Sequence, residues 1–405
     1  MISPIPMPDF PVQIIRKLNH AGFEAYAVGG CVRDVLLGKM PLDWDITTSA
    51  LPQEVCRVFS DYRVIETGIR HGTVTVVLTR QAAEITTYRV DGGYADSRHP
   101  DNVTFTPSLI EDLKRRDFTV NAMVWHPDTG ITDQVGGIDD LNNRVLRCVG
   151  DPDRRFSEDA LRILRALRFS SVYDLKLELS TDAALRRCRE GLKHISAERI
   201  QSELFRLICG DHADRVLTDY PEVFAVILPE TEDDINVKGI TFTVNALQKA
   251  PPILPCRLAI LLGRCPDQAE TVLRRLKADN ETIATVTALL QASALPLSPD
   301  SIILTHALHN LGEERLRLLL AVKQAESPNQ TDWEAINKAL NRLLQGNPCY
   351  STAQLQIGGK ELLSLGFRGP AVGKGLNELL QQVMDGKIPN DAAILQEVAA
   401  TLPKE

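Results

Sequence analysis

Gly29-Gly30-Cys31-Val32-Arg33-Asp34, followed nine residues on by Asp43-Trp44-Asp45, is the stretch whose reading decides what this chain folds into. The run 23–28 reads as a short strand that ends in the glycines, and 32–37 reopens a helix. Adjacent glycines let a backbone approach a ligand closely, and a helix that starts there offers free N–H groups to an anion. Gly29 and Gly30 are therefore either a plain turn or a phosphate-binding one, with Arg33 adding a charged fork. Asp43 and Asp45 stand at i and i+2, so on a strand both carboxylates face one way while Trp44 and Ile46 turn to the core. Two carboxylates side by side repel unless a cation sits between them, and hard oxygen ligands suit Mg²⁺. An exposed strand face accounts for the same spacing. The Gly-Gly-x-x-Arg-Asp turn ahead of it favours the metal.

The neighbouring sequence extends the strand pattern. Runs 44–47, 62–66, 73–79 and 83–88 are rich in β-branched and aromatic residues and predict strands, while 8–21 predicts a helix. From Asp159 onward the pattern is helical, as at 184–190, 197–209, 258–262 and 313–323. Strands first and helices after predict an α/β head on a long all-α body. Glu84, in a strand candidate beside the aspartates, is either a third carboxylate of the same site or a solvated strand position.

Composition bounds the function. The chain has 405 residues, 44% hydrophobic and 24% charged, enough for a large core and more than one domain. No apolar run approaches the ~20 residues of a membrane span. Without a signal-like N-terminus, a cytoplasmic protein is expected. Its eight cysteines are scattered with no C-x-x-C pair, which predicts free thiols rather than disulfides or zinc ligands. A net charge of −8 argues against a generally sticky nucleic-acid binder. Between Arg144 and Arg206, however, 14 Lys/Arg stand against 10 Asp/Glu, a basic island that suggests a confined anionic partner.

Two basic blocks carry further candidates. In Lys114-Arg115-Arg116-Asp117-Phe118-Thr119-Val120-Asn121, Arg116 can hold phosphate oxygens. Asp117 can orient it or contact a ribose, and Asn121 can bond a sugar hydroxyl or hold the local turn. A salt-bridged helix end is the alternative. Further on, Asp159, Arg162, Arg165 and Arg168 recur every three residues beside an apolar ribbon of Leu161, Leu164 and Leu167. Three arginines with one acid among them repel one another, which is unfavourable unless an anion is near.

Asp159 and Arg162 also make a chemically specific pair. A carboxylate accepts from an exocyclic amine, and a guanidinium donates to a ring nitrogen or carbonyl. Cytosine and adenine satisfy both groups, whereas uracil and guanine leave them mismatched, a strong basis for rejection. Such a ribbon selects C and A without a nucleic-acid template.

Taken in order, these motifs resemble the class II tRNA nucleotidyltransferases, or CCA-adding enzymes, which share their catalytic head with bacterial poly(A) polymerases. Gly136-Gly137-Ile138-Asp139-Asp140-Leu141, Glu158-Asp159 and the weaker Ala197-Glu198-Arg199-Ile200 block with Glu203 complete the set. The resemblance implies an α+β, multi-domain chain with a polymerase-β-like head at 1–140. A helical neck at 141–210, a helical body at 211–295 and a tRNA-binding helical tail at 296–405 would follow. It implies addition of C, C and A to tRNA 3′ ends from CTP and ATP. Carried over by position, Asp43 and Asp45 bind Mg²⁺, Gly30, Arg33 and Arg116 bind the nucleotide, Asp159 and Arg162 read its base, and Arg165 and Arg168 join the pocket. Residues 88–105 resemble the family's flexible loop, which helps the switch from C to A.

The chain lacks any His-Asp dipeptide, so the phosphohydrolase domain of some relatives is not expected. It also lacks a long basic tail of the kind common in poly(A) polymerases. An A-adding enzyme or a poly(A) polymerase is the alternative within the class. A silent RNA-binding protein is the alternative outside it, and would be expected to have lost one of the two aspartates.

Overall fold

The structure, a computed structural model, describes residues 7–78, 81–92, 103–231, 237–329 and 332–404. It divides into two compact units, Met1–Pro229 and Glu230–Glu405. The first contains the expected head and neck and the start of the expected body.

The first unit is built on a sheet of seven strands. They are β1 (Ala25–Val28), β2 (Trp44–Thr48), β3 (Arg63–Ile65), β4 (Thr73–Leu78), β5 (Gln81–Thr87), β8 (Met123–His126) and β9 (Gly130–Asp133), in the order β3-β4-β5-β2-β1-β8-β9. A separate hairpin pairs β6 (Arg89–Asp91) with β7 (Val103–Phe105). Only β2 and β5 run parallel, and the other neighbours in the sheet are antiparallel. Alternation decides which face each strand buries. Val74, Val76 and Leu78 of β4, and Trp44 and Ile46 of β2, go into the core. Of the expected flexible loop, Tyr88–Gly92 and Val103–Phe105 are described, while 93–102 lie outside the described residues.

Strands β8 and β9 were not expected from the sequence. Met123, Val124 and Trp125 are buried because β8 pairs with β1 inside the sheet, and β9 is a half-buried edge strand. The helices of this unit are α1 (Asp9–His20), α2 (Gly30–Leu36), α3 (Pro52–Val58), α4 (Leu109–Lys114), α5 (Gly137–Asn142), α6 (Pro152–Glu158), α7 (Leu161–Tyr173), α8 (Leu179–Cys188) and α9 (Ala197–Ile208), followed by shorter ones. Helix α7 buries Ile163, Leu164, Ala166, Leu167 and Phe169, and α9 buries Leu204, Leu207 and Ile208. Gly137 lets α5 approach the turn Thr119–Asn121, because a Cβ there would lie 2.3 Å from the Thr119 carbonyl oxygen.

The second unit is helical throughout its described residues. One apolar cluster gathers Leu304, Leu308, Leu316, Leu320, Trp333, Ile336 and Leu340, and another gathers Leu355, Leu362, Phe367, Leu379 and Leu395. The expected helix at 313–323 is the second half of Ser301–Glu326, which bends at Gly312, where φ is +73°. All eight cysteines are free. Among the described residues no helix is long and apolar enough to cross a membrane.

Candidate active site

Asp45 sits on β2 between two core residues, so its carboxylate points away from the core, and Asp43 precedes the strand by one residue. Parallel pairing puts Glu84 of β5 directly beside Asp45. Burial pushes the Asp45 pKa above the ordinary carboxylate value, and the charges of Glu84 and Asp43 add to the rise while Arg116 opposes it. Both aspartates line a cleft of about 560 Å³ together with Gly29, Gly30, Arg33, Arg116, Asp117, Asn121, Arg165 and Arg168. Glu84 stands in register with Asp45 but is not among the residues lining that cleft.

Much of the remaining lining is cationic. Arg33 is buried and donates to Asp34 Oδ1, to Asn121 Oδ1 at 2.6 Å and to the Tyr173 hydroxyl at 2.7 Å. Its guanidinium lies 4.2 Å from the Tyr173 ring centre and 5.0 Å from that of Phe169. Gly29 has φ +81°, and a Cβ on it would come within 3.1 Å of Arg116 Nη1. The bare glycine is what admits that guanidinium. Arg116 touches Asp112 Oδ2 at 3.5 Å, and its Nε is buried with no hydrogen-bond partner among the described residues.

Helix α7 supplies the remaining wall, and here the structure corrects two expectations. Asp159 is not on the helix with the arginines. It has extended backbone (φ −149°, ψ 102°) at the junction of α6 and α7, and its carboxylate accepts from Arg199 at 2.6 Å. Nor are the three arginines short of acids. Arg165 donates to Asp117 at 2.6 and 2.9 Å and to Glu203 at 3.5 Å, and Arg168 donates to Glu203 at 2.5 Å. Arg162 donates to Glu158 at 2.7 Å and to the Arg155 carbonyl. Asp117, in the turn after α4, and Glu203, on α9, are remote in sequence and escaped a local count, whereas Glu158 stands only four residues before Arg162.

Asp117 therefore orients Arg165 rather than Arg116, and it also holds Asn121 Nδ2 at 3.2 Å. Burial alone would raise its pKa. The Arg165 guanidinium beside it, with Arg162 and Asn121, overcomes that and keeps the carboxyl well below the usual range. Asp159, Arg162, Arg115, Arg116, Asp117 and Arg165 line a second, smaller recess of about 190 Å³. Arg116, Asp117 and Arg165 border both cavities, so the two share a wall. Cys31, also in the cleft, is no nucleophile, since burial pushes its thiol up to about 11.

Sequence reasoning missed Lys39, Met40, Leu42, Phe169, Val172, Tyr173 and Arg206, all of which line the larger cleft. Phe169 and Tyr173 carry the helical spacing of the arginine ribbon, a signal that could have placed them. The others depend on how the chain folds back.

Comparison with known proteins agrees with this geometry. The family described as "Poly A polymerase head domain" matches residues 25–147. "Probable RNA and SrmB- binding site of polymerase A" matches 174–235, and "tRNA nucleotidyltransferase domain 2 putative" matches 256–399. The CCA-adding enzyme of Lacticaseibacillus paracasei is 36% identical, with 98% of each chain covered. That of Enterococcus faecalis is 38% identical over 95% of this chain and 94% of its own. The chain belongs to the CCA-adding enzyme family. The crystal structure of the Bacillus stearothermophilus CCA-adding enzyme in complex with CTP superposes with a TM-score of 0.80 at 32% identity, covering 96% of this chain and 97% of that one. The Thermotoga maritima CCA-adding enzyme complexed with tRNA, at 20% identity and a TM-score of 0.68, shares the fold. The polymerase-β-like head with a mixed sheet and a mostly helical remainder is thus the architecture of the family.

Proposed function

We propose that this protein is a template-independent CCA-adding tRNA nucleotidyltransferase. It adds C, C and A to the tRNA 3′ end from CTP and ATP, in the cytoplasm, and releases one pyrophosphate per step. The observation that carries this reading is a single cleft lined by Asp43 and Asp45 together with Arg33, Arg116, Arg165 and Arg168. In each step the RNA 3′-oxygen forms a bond to the α-phosphorus while the bond to the pyrophosphate oxygen breaks.

The residues fit a divalent ion. Among the described residues no group of three or more His, Cys, Asp and Glu could enclose one. Two carboxylates with the rest of the shell left to water and phosphate is the arrangement Mg²⁺ favours. Asp43 and Asp45 would hold it, with Glu84 the third carboxylate beside them. When bound, Mg²⁺ neutralises triphosphate charge and eases ionisation of the attacking hydroxyl.

The chain's own groups do the positioning. Arg33, Arg116, Arg165 and Arg168 would meet the triphosphate oxygens with their charge, and Gly29 and Gly30 leave room for the Arg116 and Arg33 guanidinium groups beside them. Asn121, held by Asp117 and Arg33, would meet a sugar hydroxyl. The smaller recess is where Asp159 and Arg162 would read the base, choosing C and A over U and G. In this reading 1–140 is the head, 141–210 the neck, 211–295 the body and 296–405 the tRNA-binding tail.

The head-domain match also keeps a poly(A)-type reading in view, and one assay separates the two. Purified protein is given tRNAs ending at the discriminator base, in C and in CC, with CTP, ATP or both. Three nucleotides added to the first acceptor and two to the second, each needing both CTP and ATP, and one A added to the third with ATP alone, support CCA addition. A ladder of A residues on every acceptor would support poly(A) synthesis.

A further inference from the structure

The reaction brings two substrates to one pair of carboxylates, and the cleft has two kinds of wall. The arginine wall suits a triphosphate. The rest of the lining includes two large apolar side chains, Met40 and Leu42, on the segment that leads into Asp43. Leu42 is 97% exposed and Met40 75% exposed, although both line the cleft. Large apolar side chains left bare beside catalytic carboxylates mark a surface awaiting a flat apolar partner. Lys39, next to Met40 in sequence, lines the same cleft, with its Nζ 4.8 Å from the Tyr173 ring centre.

We propose that Met40 and Leu42 form the seat for the terminal base of the acceptor RNA strand, with Lys39 facing its backbone phosphate. The assignment rests on the function proposed above. An unpaired nucleotide at a 3′ end has an exposed base face and an anionic phosphate, and these complement the strip and the lysine respectively. The seat adjoins Asp43 in sequence, so a base packed there holds its own 3′-hydroxyl beside the carboxylates of the cleft. The incoming nucleotide keeps the arginine wall. A peptide or lipid would meet the apolar strip as well, but neither brings a hydroxyl to Asp43 and Asp45.

The test is a cycle that crosses a protein change with an RNA change. The full chain and the double variant Met40→Ser/Leu42→Ser are each assayed for A addition to two tRNAs ending in CC, one intact and one whose terminal nucleotide lacks its base. With intact tRNA the double variant is expected to lose about tenfold in kcat/KM, with KM for ATP changed less than twofold. The abasic tRNA should cost the wild type a similar factor and cost the double variant less than twofold more, because the contact is already gone. Placing Phe in place of the second Ser, in Met40→Ser/Leu42→Phe, should recover most of the loss on intact tRNA. Losses that simply multiply, or a KM for ATP that rises as much as kcat/KM falls, would overturn the assignment. Both side chains are solvent-exposed, so the double variant should melt within a few degrees of wild type. A wild type that adds neither C nor A would overturn the proposed function instead, and the seat with it.

Discussion

Arg165 grips Asp117 through two bonds to one carboxylate oxygen, Nε at 2.9 Å and Nη2 at 2.6 Å, and so ties helix α7 to the turn that carries Arg116 and Asn121. Asp117→Asn should cost about 1.5–3 kcal/mol of stability, the range for hydrogen bonds to charged groups, as measured by urea unfolding. The pH dependence has a definite sign. A carboxylate whose pKa is depressed on folding contributes stability that is present above its unfolded pKa and lost as pH falls through the lowered folded value. The wild-type advantage over Asp117→Asn should therefore stay flat from about pH 5 to pH 8 and shrink only in stronger acid. An advantage that vanished near neutrality would remove this ion pair from the account.

Metal removal gives a second prediction. In chelator, the charged Asp45 carboxylate carries the cost of burial and the repulsion of Glu84 beside it and Asp43 before it, which Arg116 offsets only in part. Added Mg²⁺ should raise the melting temperature of the wild type. Asp45→Asn should melt higher than wild type in chelator, lose most of the Mg²⁺ response, and lose activity by roughly a hundredfold or more. A full Mg²⁺ response in that variant would move the ion elsewhere.

Base choice should depend on the smaller recess. Arg162→Ala is expected to relax rejection of UTP and GTP more than it raises KM for CTP. Arg199→Ala, which frees the Asp159 carboxylate, should act in the same direction. Misincorporation assays with single nucleotides read both, and unchanged rejection in the two variants would count against the recess as the reader of the base.

Close approach by α5 supplies a stability test remote from any charge. Gly137→Ala puts a methyl 2.3 Å from the Thr119 carbonyl oxygen and should cost about 1–3 kcal/mol in urea unfolding. Because that turn ends in Asn121, KM for the nucleotide should rise as well. A variant as stable as wild type would show that α5 yields easily.

Much of this was legible in the sequence, for local reasons. The strands at Ala25–Val28, Trp44–Thr48 and Thr73–Leu78 announce themselves by alternation and β-branching, and the glycine turn and paired aspartates by their spacing. Helix Ala197–Ile208 follows its apolar stripe almost to the residue. Strands β8 and β9 escaped because the pairing of β8 with β1 and of β9 with β8 is made by the tertiary fold and not by local pattern. The partners of the arginine ribbon escaped for a similar reason. Asp117 lies 48 residues from Arg165, and Glu203 lies 35 from Arg168. Asp159 looked helical because its spacing matched, yet the chain is extended there between two helices.

The parallel pairing of β2 and β5 has one more consequence. Asp45 and Glu84 are aligned by strand register, which the buried flanking residues Ala83 and Ile85 lock, and not by the path the chain takes between Thr48 and Gln81. Insertions and deletions in that crossover leave the two acids abreast, whereas a slip of a single residue within β5 turns Glu84 into the protein interior. Length variation among relatives should accordingly collect outside these two short strands.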